Sequence, residues 1–236
     1  MPNNDRKVIT LVVATLAVGI PIDAFGPPGA QSLVSLWTWG ALLWVLAHTT
    51  PTHRRELVVC VVLATAGELF LMEVWGLYQY RLHNLPLFIP PGHALVFTAA
   101  IRISRRVPSW FPWAVFAGFA PYVAYASWAG FDTQGLLWFA VLGGFMAWGR
   151  ERPLYCVAFV MALAVETYGT ALGGWRYHLV EPWFGLTTTN PPVCVGAIYC
   201  TLEVMVRRVG LLGAPPRHLA QSACVRHDEQ VCVTSS

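Results

Sequence analysis

The sequence predicts an all-α fold: a polytopic membrane helix bundle of eight transmembrane helices, seven in the alternative count, built as two parallel four-helix repeats. Three observations predict it. Of 236 residues, 56% are apolar and only 11% charged, against about 25% charged in an ordinary soluble protein. The mean hydropathy is +0.54, so too few charges exist to coat a water-soluble globule. The basic residues gather on one side of a set of hydrophobic runs, and a motif with an acid inside an apolar run occurs twice.

A helix crossing the ~30 Å hydrocarbon core needs about 20 mostly apolar residues. Val8–Phe25 is the first such run. Pro27-Pro28 follow it with no small-residue cleavage site, so it reads as a retained span and not a signal peptide. Ser32–His48 and Leu57–Tyr78 come next, then Leu85–Ile103, which contains Pro90-Pro91. The second half repeats the order with Trp110–Trp128, the short Gly135–Trp148, Leu154–Leu172 and Pro191–Val206. With the N-terminus in the cytosol, thirteen Lys and Arg fall on the inner side, and only Arg81 and Arg176 fall outside. That is the bias expected of inner loops, and dropping one span would destroy it. The reading is therefore a multi-pass protein of the cell membrane with both termini cytosolic.

The repeat units are residues 1–107 and 108–209, followed by a flexible polar cytosolic tail, 210–236. Arg54-Arg55-Glu56-Leu57, Cys60, Glu68 and Trp75-Gly76-Leu77-Tyr78 parallel Arg150-Glu151-Arg152, Cys156, Glu166 and Gly173-Gly174-Trp175 at offsets near 97. Repetition at a fixed period indicates duplication, and an offset of four spans keeps both halves in the same orientation. Such an architecture places a functional centre at the repeat interface near mid-bilayer.

Composition also excludes classes of function. The net charge of +3 is dispersed along the chain, so no nucleic acid is expected as a partner. The six cysteines read as free thiols and not as a disulfide framework. In the tail, Cys224, His227 and Cys232 lack zinc-site spacing. Histidine boxes, GxSxG, Walker and GxGxxG patterns are missing, so no metal and no cofactor is implied.

Glu68 and Glu166 are the leading catalytic candidates. A carboxyl at the centre of a membrane helix costs about 2.5–3.5 kcal/mol on insertion scales, and such residues turn inward to do work. A hydrogen-bonded pair joining the repeats is the structural alternative. His93, after Pro90-Pro91-Gly92, is the third catalytic candidate, able to shuttle a proton or orient a carboxylate. Asn190 reads as the N-cap of the last span. Glu203 and Arg207 read as an i, i+4 pair.

Tyr78, Tyr80, Trp175 and Tyr177 follow the two acids and are candidates for binding substrate. Their faces can stabilise a cation, although an interfacial aromatic belt accounts for them equally well. Glu73 and Arg176 complete the substrate-binding set. On a regular helix Glu73 points about 140° away from Glu68, toward Arg81 or Arg176 at the outer rim.

Glu166 followed by Gly173, Trp175 and Tyr177 resembles the motif of the lycopene-cyclase-domain family, in which a membrane acid precedes a Gly-x-Trp-x-Tyr helix end in each of two repeats. Carotenoid hydratases and the small membrane terpene cyclases are similar in length and span number. The resemblance covers about a third of the chain. It implies isoprenoid chemistry with the acid at Glu166 and Glu68 and the aromatic end at Trp175-Arg176-Tyr177 and Tyr78-Gln79-Tyr80. The Pro-Leu-Glu-Glu signature of lycopene cyclases is replaced here by Pro86-Leu87-Phe88-Ile89, which argues against lycopene itself as substrate.

The sequence thus points to an intramembrane enzyme for proton-initiated cyclisation, hydration or isomerisation of a lipophilic, isoprenoid substrate taken from the lipid bilayer. The alternative is a non-catalytic membrane protein: a small proton-coupled transporter, or an accessory subunit of a larger membrane complex. Partnership with another membrane protein or with a second copy stays open.

Overall fold

A computed structural model describes residues 3–212. The tail from 213 onward, with Cys224, His227 and Cys232, lies outside the described residues. Eight α-helices account for most of the described chain: α1 (Asn3–Phe25), α2 (Ala30–Ala47), α3 (Pro51–Leu69), α4 (Ile89–Ser104), α5 (Phe111–Trp128), α6 (Thr133–Trp148), α7 (Arg152–Ala171) and α8 (Ile198–Leu212). Four helical stretches, Asn4–Phe25, Ala30–Ala47, Pro51–Val74 and Arg152–Ala171, are long and apolar enough to cross a membrane. The apolar α6 is shorter.

Local chemistry sets several helix starts. Thr50 caps α3 by accepting from the His53 amide, with Pro51 in the first turn. Asp132 caps α6 through the Gly135 amide at 2.9 Å. Proline in the first turn of α4, α5 and α7 loses no helical hydrogen bond there. Pro21 and Pro121 lie inside the continuous helices α1 and α5.

The main departure from the sequence reading is at the ends of α3 and α7. Hydropathy alone predicts the third span as helix through Tyr78. Instead α3 runs into one π-helical turn, Phe70–Val74, and the chain reverses into a strand, β1 (Tyr78–Tyr80). The helix α7 ends in a Schellman turn: the amides of Gly173 and Gly174 bond to the carbonyls of Thr170 and Gly169. Gly173 takes φ +78, as Gly76 takes φ +71 after α3, a region that only glycine enters freely. A second strand, β2 (Trp175–Tyr177), follows and pairs antiparallel with β1.

Two more expectations fail at the last span. Hydropathy starts it at Pro191, but the chain there stays irregular through a 3-10 turn at Val195–Ala197, and α8 begins only at Ile198. Asn190 therefore caps no helix; its Oδ1 accepts from the Tyr177 amide at 2.8 Å and anchors the end of β2. The local N-cap pattern was outweighed by a bond to a distant strand.

α3 packs against both α4 and α8, and α7 packs against both as well, so these four helices form the centre. α1 pairs with α2, and α5 with α6, at the flanks. One core cluster joins Tyr78, Tyr80, Trp175 and Tyr177 to Phe159, Leu142 and Cys200. Another joins α1 to α4 around Val12, Leu57 and Leu95.

Candidate active site

The register of the two strands decides what faces what. Tyr78 lies opposite Tyr177, Gln79 opposite Arg176, and Tyr80 opposite Trp175. Successive strand residues point to opposite faces, and in both strands the outer two are buried while the middle one is exposed. All four aromatic side chains therefore turn inward, and Gln79 and Arg176 turn outward.

On the inner face each acid receives two aromatic donors. Tyr78 and Tyr80 donate to Glu68 Oε2 at 2.5 and 2.7 Å. Trp175 Nε1 and Tyr177 donate to Glu166 Oε2 at 2.7 and 3.0 Å. The spacing from acid to first donor is one residue longer in the first half than in the second, and the π turn after Glu68 takes up the extra residue. Inserted π turns of this kind are frequent at functional sites.

The acids differ at their second oxygen. His93 Nε2 lies 2.7 Å from Glu68 Oε1, so Glu68 is engaged at both oxygens. Glu166 Oε1 makes no hydrogen bond among the described residues. His93 stacks on Tyr199 of α8, centroids 4.9 Å apart, and its Nδ1 is buried without a partner among the described residues. Glu68 is buried, and Glu166 and His93 are half-buried.

Glu68, Glu166 and His93 line one cavity, whose walls also include Tyr80, Trp175 and Tyr199. Thr15 of α1 and Thr38 of α2 also line it. Its volume is about 50 Å³, room for a water or a small reacting group. Trp37 Nε1 donates to Thr15 at 3.0 Å across the seam between α1 and α2. Outside that seam lies an apolar groove of about 710 Å³, lined by Leu11, Leu33, Leu36, Trp37 and Trp44.

The structure thus brings together Glu68, Glu166 and His93, with Tyr80 and Trp175 at the cavity wall and Tyr78 and Tyr177 holding the acids. Two members of the substrate-binding set stand apart. Glu73 is exposed and does not line the cavity, and Arg176 is exposed on the opposite face of the sheet. Tyr199 escaped the sequence reading, because a lone tyrosine in an apolar run carries no signal until its partner, 106 residues away, is known.

A loop contact fixes the end of α3 to the second half. Glu181 accepts from Trp75 Nε1 at 2.8 Å and from the amides of Trp183 and Phe184 at 2.9 and 2.6 Å. Burial by itself would raise its pKa, but these donors outweigh burial and hold the carboxyl below its ordinary value. Trp75 stacks on Trp183 at 5.2 Å beside it.

Compared with known proteins, the chain matches no family model, no curated protein and no solved structure.

Proposed function

We propose that this protein is an intramembrane acid–base enzyme acting on a lipophilic, isoprenoid substrate. In this reading all eight helices cross the bilayer as two parallel repeats related by an axis through the strand pair. The register supports the axis: the middle residues pair with each other, and Tyr78 and Tyr80 face the counterparts of each other. The resemblance to lycopene-cyclase-domain and carotenoid hydratase families supports the substrate class.

The observation that carries the reading is that two glutamates 98 residues apart open onto one cavity with a histidine and aromatic walls. Glu166, with one oxygen free, donates a proton to an alkene or epoxide. The faces of Tyr80, Trp175 and Tyr199 shelter the resulting cation. Glu68, engaged at both oxygens as a carboxylate acceptor would be, works with His93 to take a proton back. The unpartnered Nδ1 gives that pair capacity for it. In cyclisation or isomerisation the returned proton leaves from a neighbouring carbon; in hydration it leaves from an added water. The substrate reaches the cavity from the α1–α2 groove by parting the Trp37–Thr15 contact. The predominantly apolar lining favours this chemistry over a proton-coupled carrier, which needs a polar path to both ends.

The test compares lipid extracts of cells expressing the wild type, Glu68→Gln and Glu166→Gln at equal membrane abundance. The wild type yields an apolar product that both variants lose. Full product formation by both variants would sink the mechanism.

A further inference from the structure

The outer face of the strand pair is as distinctive as the inner one. Following the two-residue alternation, the residues turned away from the acids are Gln79 and Arg81 on one chain segment, Arg176 and His178 on the other. The segments stay paired beyond the strands, through the Arg81 amide to the Gly174 carbonyl and the His178 amide to the Leu77 carbonyl, both at 3.0 Å. Above them lies a pocket of about 430 Å³ lined by Arg81, Arg176, His83 and His178, with no acidic side chain in its wall among the described residues.

Two observations give this pocket a ligand. The first is electrostatic. Nε and Nη2 of Arg81 are shielded from solvent and have no hydrogen-bond partner among the described residues. Asp23 lies close enough for its charge and that of Arg81 to interact, but its Oδ1 is taken by Gln31 at 3.1 Å and no ion pair joins the two among the described residues. With no direct partner at these nitrogens the guanidinium is only partly compensated, and its planar fork suits the paired oxygens of a phosphoryl group.

The second is topological. In the eight-span arrangement, Arg81 and Arg176 are the two exceptions among fifteen basic residues to the one-sided distribution. Membrane proteins keep basic residues off this side. The two exceptions, 95 residues apart in sequence, line one pocket.

We infer that this basic pocket, on the outer face of the β1–β2 pair, binds a phosphoryl oxyanion. Tyr80 and Trp175 are common to its wall and to that of the acid cavity. An amphiphile with a phosphoryl head here would thus lie against the same aromatic pair that walls the reaction site. The inference rests on the membrane topology proposed above and not on the acid–base chemistry.

The experiment measures binding of inorganic pyrophosphate to the full chain in phosphatidylcholine nanodiscs, for wild type, Arg81→Gln and Arg176→Gln. Saturable binding to the wild type, weakened at least tenfold in each variant, supports the site. Without ligand, Arg81→Gln should melt no lower than wild type, because its two shielded nitrogens have no hydrogen bond to lose; a purely structural arginine would give a lower melting temperature. Repeating the titration in phosphatidylglycerol nanodiscs identifies the source. Competition there assigns the site to a lipid head group, and unchanged binding assigns it to a soluble or substrate-borne phosphoryl group. No saturable binding in phosphatidylcholine, or variants that bind as tightly as wild type, overturns the inference. Glu68→Gln should keep pyrophosphate binding even where it abolishes product, so failure of the catalytic reading remains separable from failure of this one.

Discussion

Gly169 tests whether the strand pair and the acid are mechanically joined. It lies in the last turn of α7, where the ring of Trp175 folds back onto the helix. A Cβ added at Gly169 would meet Trp175 ring carbons at 1.9, 2.3 and 2.3 Å, whereas carbon atoms rest about 3.5–4.0 Å apart. In Gly169→Ala the indole must therefore retreat by roughly 1.5 Å. The bond from Trp175 Nε1 to Glu166 Oε2 is 2.7 Å, and a retreat of that size carries it out of hydrogen-bond range. Overpacking costs about 1–3 kcal/mol and loss of the hydrogen bond to the protonated carboxyl about 0.5–1.5 kcal/mol. Because both act through one ring they do not add fully, and a total of about 2–3 kcal/mol is expected. The control is Gly40→Ala in α2, where a new Cβ meets nothing within 4 Å and alanine favours the helix. Thermal unfolding of the two variants in detergent, followed by circular dichroism, should show Gly169→Ala clearly below wild type and Gly40→Ala at or above it. If Gly169→Ala melts with the wild type, the indole is not wedged against α7 and the link from strand to acid is wrong.

Two further outcomes follow from charged groups away from the cavity. The pKa of Glu181 is lower in the folded chain than its ordinary value of 4.5, so its contribution to stability is present above 4.5 and is lost as pH falls through the lower folded value. Unfolding midpoints of wild type and Glu181→Gln should therefore converge below pH 4.5 and separate at neutral pH, with the wild type higher. Arg207 Nε lies 2.6 Å from Oε1 of Glu203, which is 2% exposed. Arg207→Ala strands that carboxyl and, because the arginine itself is 35% exposed, should cost about 1–3 kcal/mol in denaturant unfolding, between the exposed and buried cases, whereas Arg207→Ala combined with Glu203→Gln should recover most of the loss. Failure to recover would mean that the arginine stabilises α8 by packing alone.

The readable part of the site was the pair Glu68 and Glu166 with the aromatic residues after them. An acid in an apolar run stands out against its neighbours, and the doubled spacing set Trp175 and Tyr177 beside Tyr78 and Tyr80. Their geometry was not readable. A regular helix carried through Tyr78 would have aimed Glu73 outward and scattered the aromatics around the axis. The π turn and the left-handed Gly76 and Gly173 instead reverse the chain, so that Tyr78, Tyr80, Trp175 and Tyr177 return onto the acids. Neither strand exceeds three residues, too short to leave a periodic trace in sequence.

Helix content and the apolar class of this protein were determined by the sequence itself, because hydropathy and one-sided charge are sums over neighbouring residues and need no knowledge of the fold. The pairing of β1 with β2, the stacking of His93 on Tyr199, the bond that draws Asn190 away from α8, and the meeting of Arg81 with Arg176 were decided by tertiary structure. Each joins segments distant in the chain or turns on a backbone reversal that local patterning does not specify. Such contacts are fixed by which surfaces remain to be buried once the helices have formed.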